Sequence, residues 1–453
     1  MRHTKFALAA MALAVLAGCG GTSPSAGDQT LKTKFASEVV FGDSLSDVGS
    51  YNVGTVAALK GGTFTINGDN TATNPALTGK NWTTLMAAQL GLPAPCAAQT
   101  GLQGDPASGF SVPVTNHAGC LNYAQGGARV TEAAGPGHLD PRAPISKQLG
   151  ALTVPVATQI ANHLAAVGGK FKGDEVVFVM AGANDIFVQL QTLSAQATAA
   201  GTSAFASSLV SQLAAGATNP ATAAQAIGAA LATESANPAH TDASVVSAAV
   251  TAAVMQGNTA AASASVYGPM VAQAQADGAA AGAAYASANG SGLVANMATV
   301  AGQLVALIEG QIVANGATHV VVNNLPDVAN TPFAKAQSAS TQALVAAMVS
   351  AFNNTLASGL ANDGKVLVVD VYSTNHDQAT NPAPYGLTNV TDLACDMNPA
   401  KNPLNSSLAC NGSNLVAGDV SHYEFADTVH PTPFAHLLLA RYVAEKMVLK
   451  GWL

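Results

Sequence analysis

Four short runs of β-branched and other apolar residues punctuate the chain, at 38–41, 175–180, 319–323 and 365–371. Their apolar positions are consecutive rather than alternating, which suits parallel strands covered on both faces. Stretches of helical character separate and follow them, at 82–90, 154–167, 336–361 and 433–449. Strands alternating with helices imply β-α-β crossovers and a doubly wound three-layer sandwich. The pattern therefore predicts an α/β domain over residues 37–453.

Two segments break that rhythm. Residues 189–316 are dominated by Ala, Gly, Ser, Thr and Gln, and no Lys or Arg occurs between Lys172 and Lys335. Alanine favours helix, while Asn219-Pro220 and Asn237-Pro238 cut it, so the segment reads as several short to medium helices inserted between core strands. A disordered low-complexity segment is the competing reading. Residues 373–423 are rich in Asn, Pro, Gly and Ser. So long a loop inside a compact domain is expected to be stapled or functional, and its place in the chain suggests one wall of a site.

At the start, Arg2, His3 and Lys5 precede an apolar run from Phe6 to Ala17 that ends in Leu16-Ala17-Gly18-Cys19. The arrangement is that of an export leader, and it resembles a bacterial lipoprotein signal. On that resemblance residues 1–18 are removed, Cys19 is lipidated, and 19–36 form a flexible tether. Ordinary cleavage and plain secretion is the alternative. The remaining four cysteines form two local sets, Cys96 with Cys120 and Cys395 with Cys410, and pairing within each set is the simplest of three connectivities. Disulfides of this kind imply an oxidising compartment. Beyond the leader no run reads as long enough to cross a bilayer, and the ten-residue alternation of an outer-membrane barrel is missing.

Composition changes the picture only by exclusion. Charged residues make up 9% of the 453 and the net charge is −8, so a nucleic-acid partner is not expected.

The candidate chemistry begins where the first strand gives way to Phe41-Gly42-Asp43-Ser44-Leu45-Ser46-Asp47-Val48-Gly49. A serine at such a strand-to-turn junction projects from the carboxyl edge of the sheet, where open α/β sheets bind ligands. This stretch resembles block I of the GDSL (SGNH) serine hydrolases. Asn122-Tyr123-Ala124-Gln125-Gly126-Gly127-Ala128 resembles the family's glycine block, Ala181-Gly182-Ala183-Asn184-Asp185 its G-x-N-D block, and Asp427-Thr428-Val429-His430-Pro431-Thr432 its closing D-x-x-H-P block. The resemblance implies a flavodoxin-like core and an esterase or lipase that needs no cofactor and no metal. It also implies a triad of Ser44, His430 and Asp427, with an oxyanion hole from the Ser44 N–H, a glycine N–H and the Asn184 amide. Gly127 is the aligned glycine and Gly126 a close rival. Asp43 and Asp185 are expected to orient loops.

If 427–430 form a helical turn, Asp427 and His430 share a face. The base then takes the serine proton and the carboxylate orients the imidazole. A G-x-S-x-G elbow and an H-E-x-x-H motif are both missing, His422 and His436 have no metal spacing, and Asp392, Asp396 and Asn398 lack the glycine pattern of a calcium loop. The expected substrate is a small-molecule or lipid ester, and membrane contact is expected only through the lipid anchor. The expected location is the periplasm or outer membrane, the cell surface, or the medium. Acyl transfer within the family, and a surface lipoprotein that has kept the fold without catalysis, are the competing functions. Segment 189–316 is expected to form a helical cap that holds the acyl chain and opens as a lid.

Overall fold

The computed structural model describes residues 33–68, 76–104, 106–136 and 153–453. The leader (1–18), Cys19 and most of the tether (19–36) lie outside those residues. The core is a parallel sheet of four strands, β1 (Ser37–Gly42), β4 (Glu175–Met180), β5 (Val320–Asn323) and β6 (Val366–Val369), in the order β1-β4-β5-β6. Register is continuous from Ser37 opposite Glu175 to Gly42 opposite Met180. Segment 121–123 lies along the free side of β1: the Val40 N–H donates to the Leu121 carbonyl and the Tyr123 N–H to the Val40 carbonyl. The chain therefore leaves β1 to one side and returns to the other at β4. That reversal is the switch point at which such sheets bind ligands.

Successive strand side chains enter two separate cores, as the twofold period of a strand requires. Val39 and Phe41 pack with Val177, Val179, Val320 and Val322 on one face, against α3 (Val156–Ala166) and α9 (Ala339–Leu360). Val40, Val176, Phe178 and Val321 pack on the other, against α2 (Trp82–Gln89) and α11 (Pro433–Lys450). This is the three-layer α/β/α sandwich that the sequence pattern predicts. Outside it lie α1 (Gly54–Ala58), the hairpin of β2 (Gln99–Gln103) and β3 (Ser111–Asn116), and a parallel pair, β7 (Asn389–Leu393) with β8 (Tyr423–Phe425). Cys96 is bonded to Cys120 and Cys395 to Cys410.

Several expectations need correction. The last core strand stops at Val369: Asp370 caps a helix by accepting from the Ser373 N–H, and Val371 opens α10 (Val371–Thr380). Apolar pattern alone does not register that cap. The Ala-rich segment contains not only short and medium helices, α5 (Pro220–Ser235) and α6 (Asp242–Met255), but two long ones, α4 (Ala183–Ala215) and α7 (Ala264–Leu307). Their 33 and 44 residues span about 50 and 66 Å at the usual rise per residue. Glycines inside them do not break the helices because they serve packing: a Cβ on Gly201 would lie 2.9 Å from the Gly278 carbonyl oxygen, so the two backbones touch there. The far part of this arm has its own small core around Leu209, Leu213, Ile227 and Leu231, while Met297, Ala301 and Leu304 of α7 return to the main core.

By length and composition, Ala264–Val313 and Ala339–Leu360 are each apolar enough to cross a bilayer, against the expectation of no such run. Val345, Met348, Val349, Phe352 and Leu356 of α9 face the core of the domain.

One core residue is out of keeping with its surroundings. Glu38 is buried within β1 and neither carboxyl oxygen has a partner among the described residues. Burial pushes its pKa from 4.5 to about 8. A carboxyl that keeps its proton only when folded contributes fully at low pH, and that contribution is lost as pH rises from about 4.5 to about 8. Glu38→Gln should therefore melt progressively higher than the parent across that window and by a constant margin above it. A Tm difference that does not change with pH would count against the assignment.

Candidate active site

β1 ends at Gly42, where nothing larger fits: a Cβ there would come within 2.4 Å of the Met180 carbonyl oxygen. Gln159 of α3 grips the same peptide, accepting from the Gly42 N–H at 2.9 Å and donating to its carbonyl at 2.8 Å. The chain then turns, the Ser46 N–H donating to the Asp43 carbonyl and the Leu45 N–H to the Asp43 carboxyl. Ser44 is left at the carboxyl end of the sheet, on the wall of a cavity. Asp47, fully buried, holds the turn in place. It accepts from the Gly49 N–H, the Ser50 N–H, the Ser50 hydroxyl and, across the chain, the Gly126 N–H, at 2.6–2.9 Å.

From the other end of the chain, His430 Nε2 lies 2.8 Å from Ser44 Oγ, and its Nδ1 lies 2.8 and 2.9 Å from the two Asp427 carboxylate oxygens. An ionised carboxylate only accepts, so Nδ1 carries the proton and Nε2 is left as the acceptor for the serine hydroxyl. The segment is not the helical turn expected. The Asp427 carboxylate accepts from the Val429 and His430 N–H groups in an Asx-type turn, and also from the Ser407 N–H at 2.8 Å. Burial alone would raise the pKa of Asp427, but the His430 charge and these hydrogen bonds outweigh it and hold the group well below the usual carboxylate range. The Phe64 ring packs on the imidazole with centroids 4.9 Å apart, and the Thr65 hydroxyl donates to the Pro431 carbonyl.

The third component is a set of donors facing the serine. Gly126 and Gly127 both line the cavity, but the Gly126 N–H is committed to Asp47. The N–H groups of Ser44 and Gly127 have no partner among the described residues. Gly127 adopts a φ of 83°, a left-handed conformation that favours glycine. Asn184, in the first turn of α4, donates one amide hydrogen to the Ala128 carbonyl at 2.9 Å, which leaves the other free to face the cavity. Asp185 beside it orients a loop: it pairs with Arg129 at 2.9 Å and accepts from the Val130 N–H. Asp43, whose pKa burial pushes up to about 7, also binds its own turn.

The cavity has a volume of about 250 Å³ and mostly apolar walls, among them Leu45, Tyr51, Phe64, Phe187 and Val328. No described lining residue falls within 189–316 or 373–423. The helical arm's share of the wall ends at Phe187, because α4 carries the chain away from the site. Segment 373–423 lines no part of this cavity, while its Thr374, Asn375 and Gln378 line a second one that adjoins it. The segment reaches Asp427 through the Ser407 N–H, and Leu408 and Ala409 pack with Tyr51 and Phe64. Asp396 is paired with Lys401 at 2.6 Å, and among the described residues no group of three His, Cys, Asp or Glu is arranged to hold a metal.

Sequence reasoning missed Asp47, Gln159, Phe64 and Ser407. Only Asp47 carried a local signal, the turn-forming spacing Asp47-x-Gly49-Ser50. The others reach the site from distant segments with no fixed spacing.

The model of the GDSL-like lipase/acylhydrolase family matches residues 39–282, a span that holds Ser44, Gly127 and Asn184 and ends before Asp427 and His430. No curated protein matches the chain.

Proposed function

The chain belongs to the GDSL-like lipase/acylhydrolase family, a family of hydrolases, and from that premise we propose that it cleaves carboxylic esters at Ser44 through an acyl-enzyme. The observation that carries this reading is the continuous chain of hydrogen bonds from Ser44 Oγ through His430 to Asp427, beside an apolar cavity. Ser44 Oγ attacks the ester carbonyl while Nε2 takes its proton. The charge that develops on the carbonyl oxygen meets the N–H groups of Ser44 and Gly127 and the Asn184 amide, and one such donor typically contributes about a hundredfold to a thousandfold. The imidazolium returns the proton to the departing alcohol. Water, deprotonated by the same nitrogen, then releases the acid. Asp427 stabilises the imidazolium and fixes its orientation.

We also propose that the protein is exported and anchored through a lipid on Cys19, because the leader has the lipobox pattern and both disulfides belong to an oxidising compartment. The intact mass of the mature protein should correspond to a diacylated N-terminal Cys19. Any other N-terminus excludes the anchor.

Ser44→Ala should lower kcat/KM on p-nitrophenyl butyrate by about ten-thousandfold, with Tm unchanged, since a hydroxyl is removed and no cavity is made. Activity within tenfold of the parent would refute the nucleophile. Asp427→Asn should lower both activity and Tm, because that carboxylate also holds three backbone N–H groups. If only activity falls, its structural share has been overstated.

The arm gives a prediction of the opposite sense to the expected cap. Replacing residues 202–277 by a short Gly/Ser linker, at the point where α4 and α7 touch, should leave the ratio of activities on p-nitrophenyl acetate and palmitate unchanged. A selective loss on palmitate would restore the cap.

A further inference from the structure

A second, smaller cavity of about 60 Å³ lies behind the first. The two share Leu45, Pro326, Thr331 and Val429, so they adjoin along these side chains. Leu45 directly follows Ser44 in the chain, and Val429 and Pro431, which also lines the second cavity, flank His430. Gly127 and Asn184 line only the first. The second cavity therefore lies on the side of the base and away from the Gly127 and Asn184 donors. In ester cleavage that is the side of the departing alcohol, which must receive its proton from the imidazole.

Most of its wall is apolar, with Met180, Val371 and Leu439, but Glu424 is set into it. Glu424 is 2% exposed. Its Oε1 accepts from the Asn375 amide at 2.9 Å, while Oε2 has no partner among the described residues. An acceptor buried without a partner loses the free energy of its hydration, and a native fold seldom tolerates that without a water or a ligand to meet it. The same residue is coupled to the base loop, since the Glu424 carbonyl accepts from the Thr432 N–H and the Ala426 N–H reaches the His430 carbonyl.

From this geometry we infer that the second cavity is a subsite for the leaving alcohol of the ester, with Glu424 Oε2 accepting a hydrogen bond from a hydroxyl on that alcohol. The inference rests on the hydrolase reading above and adds the specificity of its alcohol side. The volume suits a hydroxymethyl-sized group, about twice the share of one water. A hydroxyl fits the chemistry better than an ammonium group, which would have to be desolvated among apolar side chains. Burial, with Asp327 nearby, pushes the Glu424 pKa up to about 7 despite the Asn375 hydrogen bond and the Lys335 charge. Below that pH the carboxyl can donate as well as accept, which a hydroxyl can answer in both senses.

The test compares 2-hydroxyethyl butyrate with n-propyl butyrate, which has nearly the same size, and with 2-methoxyethyl butyrate, which withdraws electrons similarly but has no donor. Hydrolysis is followed by pH-stat and each rate is normalised to hydroxide-catalysed hydrolysis. The parent enzyme should favour the hydroxyethyl ester over both others in kcat/KM by about tenfold to a hundredfold, the range for a hydrogen bond to a charged or polarised group. In Glu424→Leu the three normalised values should converge. Equal values for the parent enzyme overturn the subsite and leave the cavity to a bound water. A preference that survives in Glu424→Leu overturns the role of Glu424. Turnover of p-nitrophenyl butyrate by the parent separates the two readings: if it is present without a hydroxyl preference, only this inference fails, and if it is absent, the esterase reading fails.

Discussion

The site depends first on one buried carboxylate that lies outside the Ser44–His430–Asp427 chain of hydrogen bonds. Asp47 gathers four donors, three from the turn after Ser44 and one from Gly126, on a chain segment more than seventy residues away. A buried acceptor set of this kind is satisfied only when both segments are in place, so it couples the geometry of the serine turn to that of the glycine loop. By occupying the Gly126 N–H it also decides which of two adjacent glycines presents a free donor to the cavity. Gln159 and Asn122 add to the same lattice, one gripping Gly42 and the other the Ser46 carbonyl.

Around this frame, nearby acidic groups are shifted in opposite directions. Asp427 receives N–H donors and an imidazole and stays ionised, whereas for Asp43, next to the serine, burial outweighs the Leu45 N–H and the His430 charge and pushes the pKa up to about 7. Environment rather than residue type separates them. Glu424 belongs with Asp43 in this respect, being buried with one oxygen paired and one not.

Much of this was legible in the sequence, for reasons that differ by level. The strands could be read because a parallel sheet covered on both faces demands uninterrupted apolar runs, and 176–180 is such a run. The four short motifs were legible because each is a local solution to a backbone problem, such as Gly42 meeting Met180 or Gly182 with its φ of 120°. The arm was misjudged because an Ala/Gly composition states no length: glycine weakens a lone helix, yet at Gly201 and Gly278 it lets two helices meet. Ser407, Phe64 and Glu424 were illegible for another reason. Each acts through a partner fixed only by the tertiary fold, and no spacing along the chain encodes it.

The distance along the chain between Ser44 and His430 has a consequence in time. Their hydrogen bond closes a loop of 386 residues. At the usual pace of synthesis, about 5–20 residues per second, Ser44 is made tens of seconds before His430. Contacts of such long range also form late and slowly once the chain is complete. Throughout that interval the Ser44 hydroxyl has no imidazole to meet it.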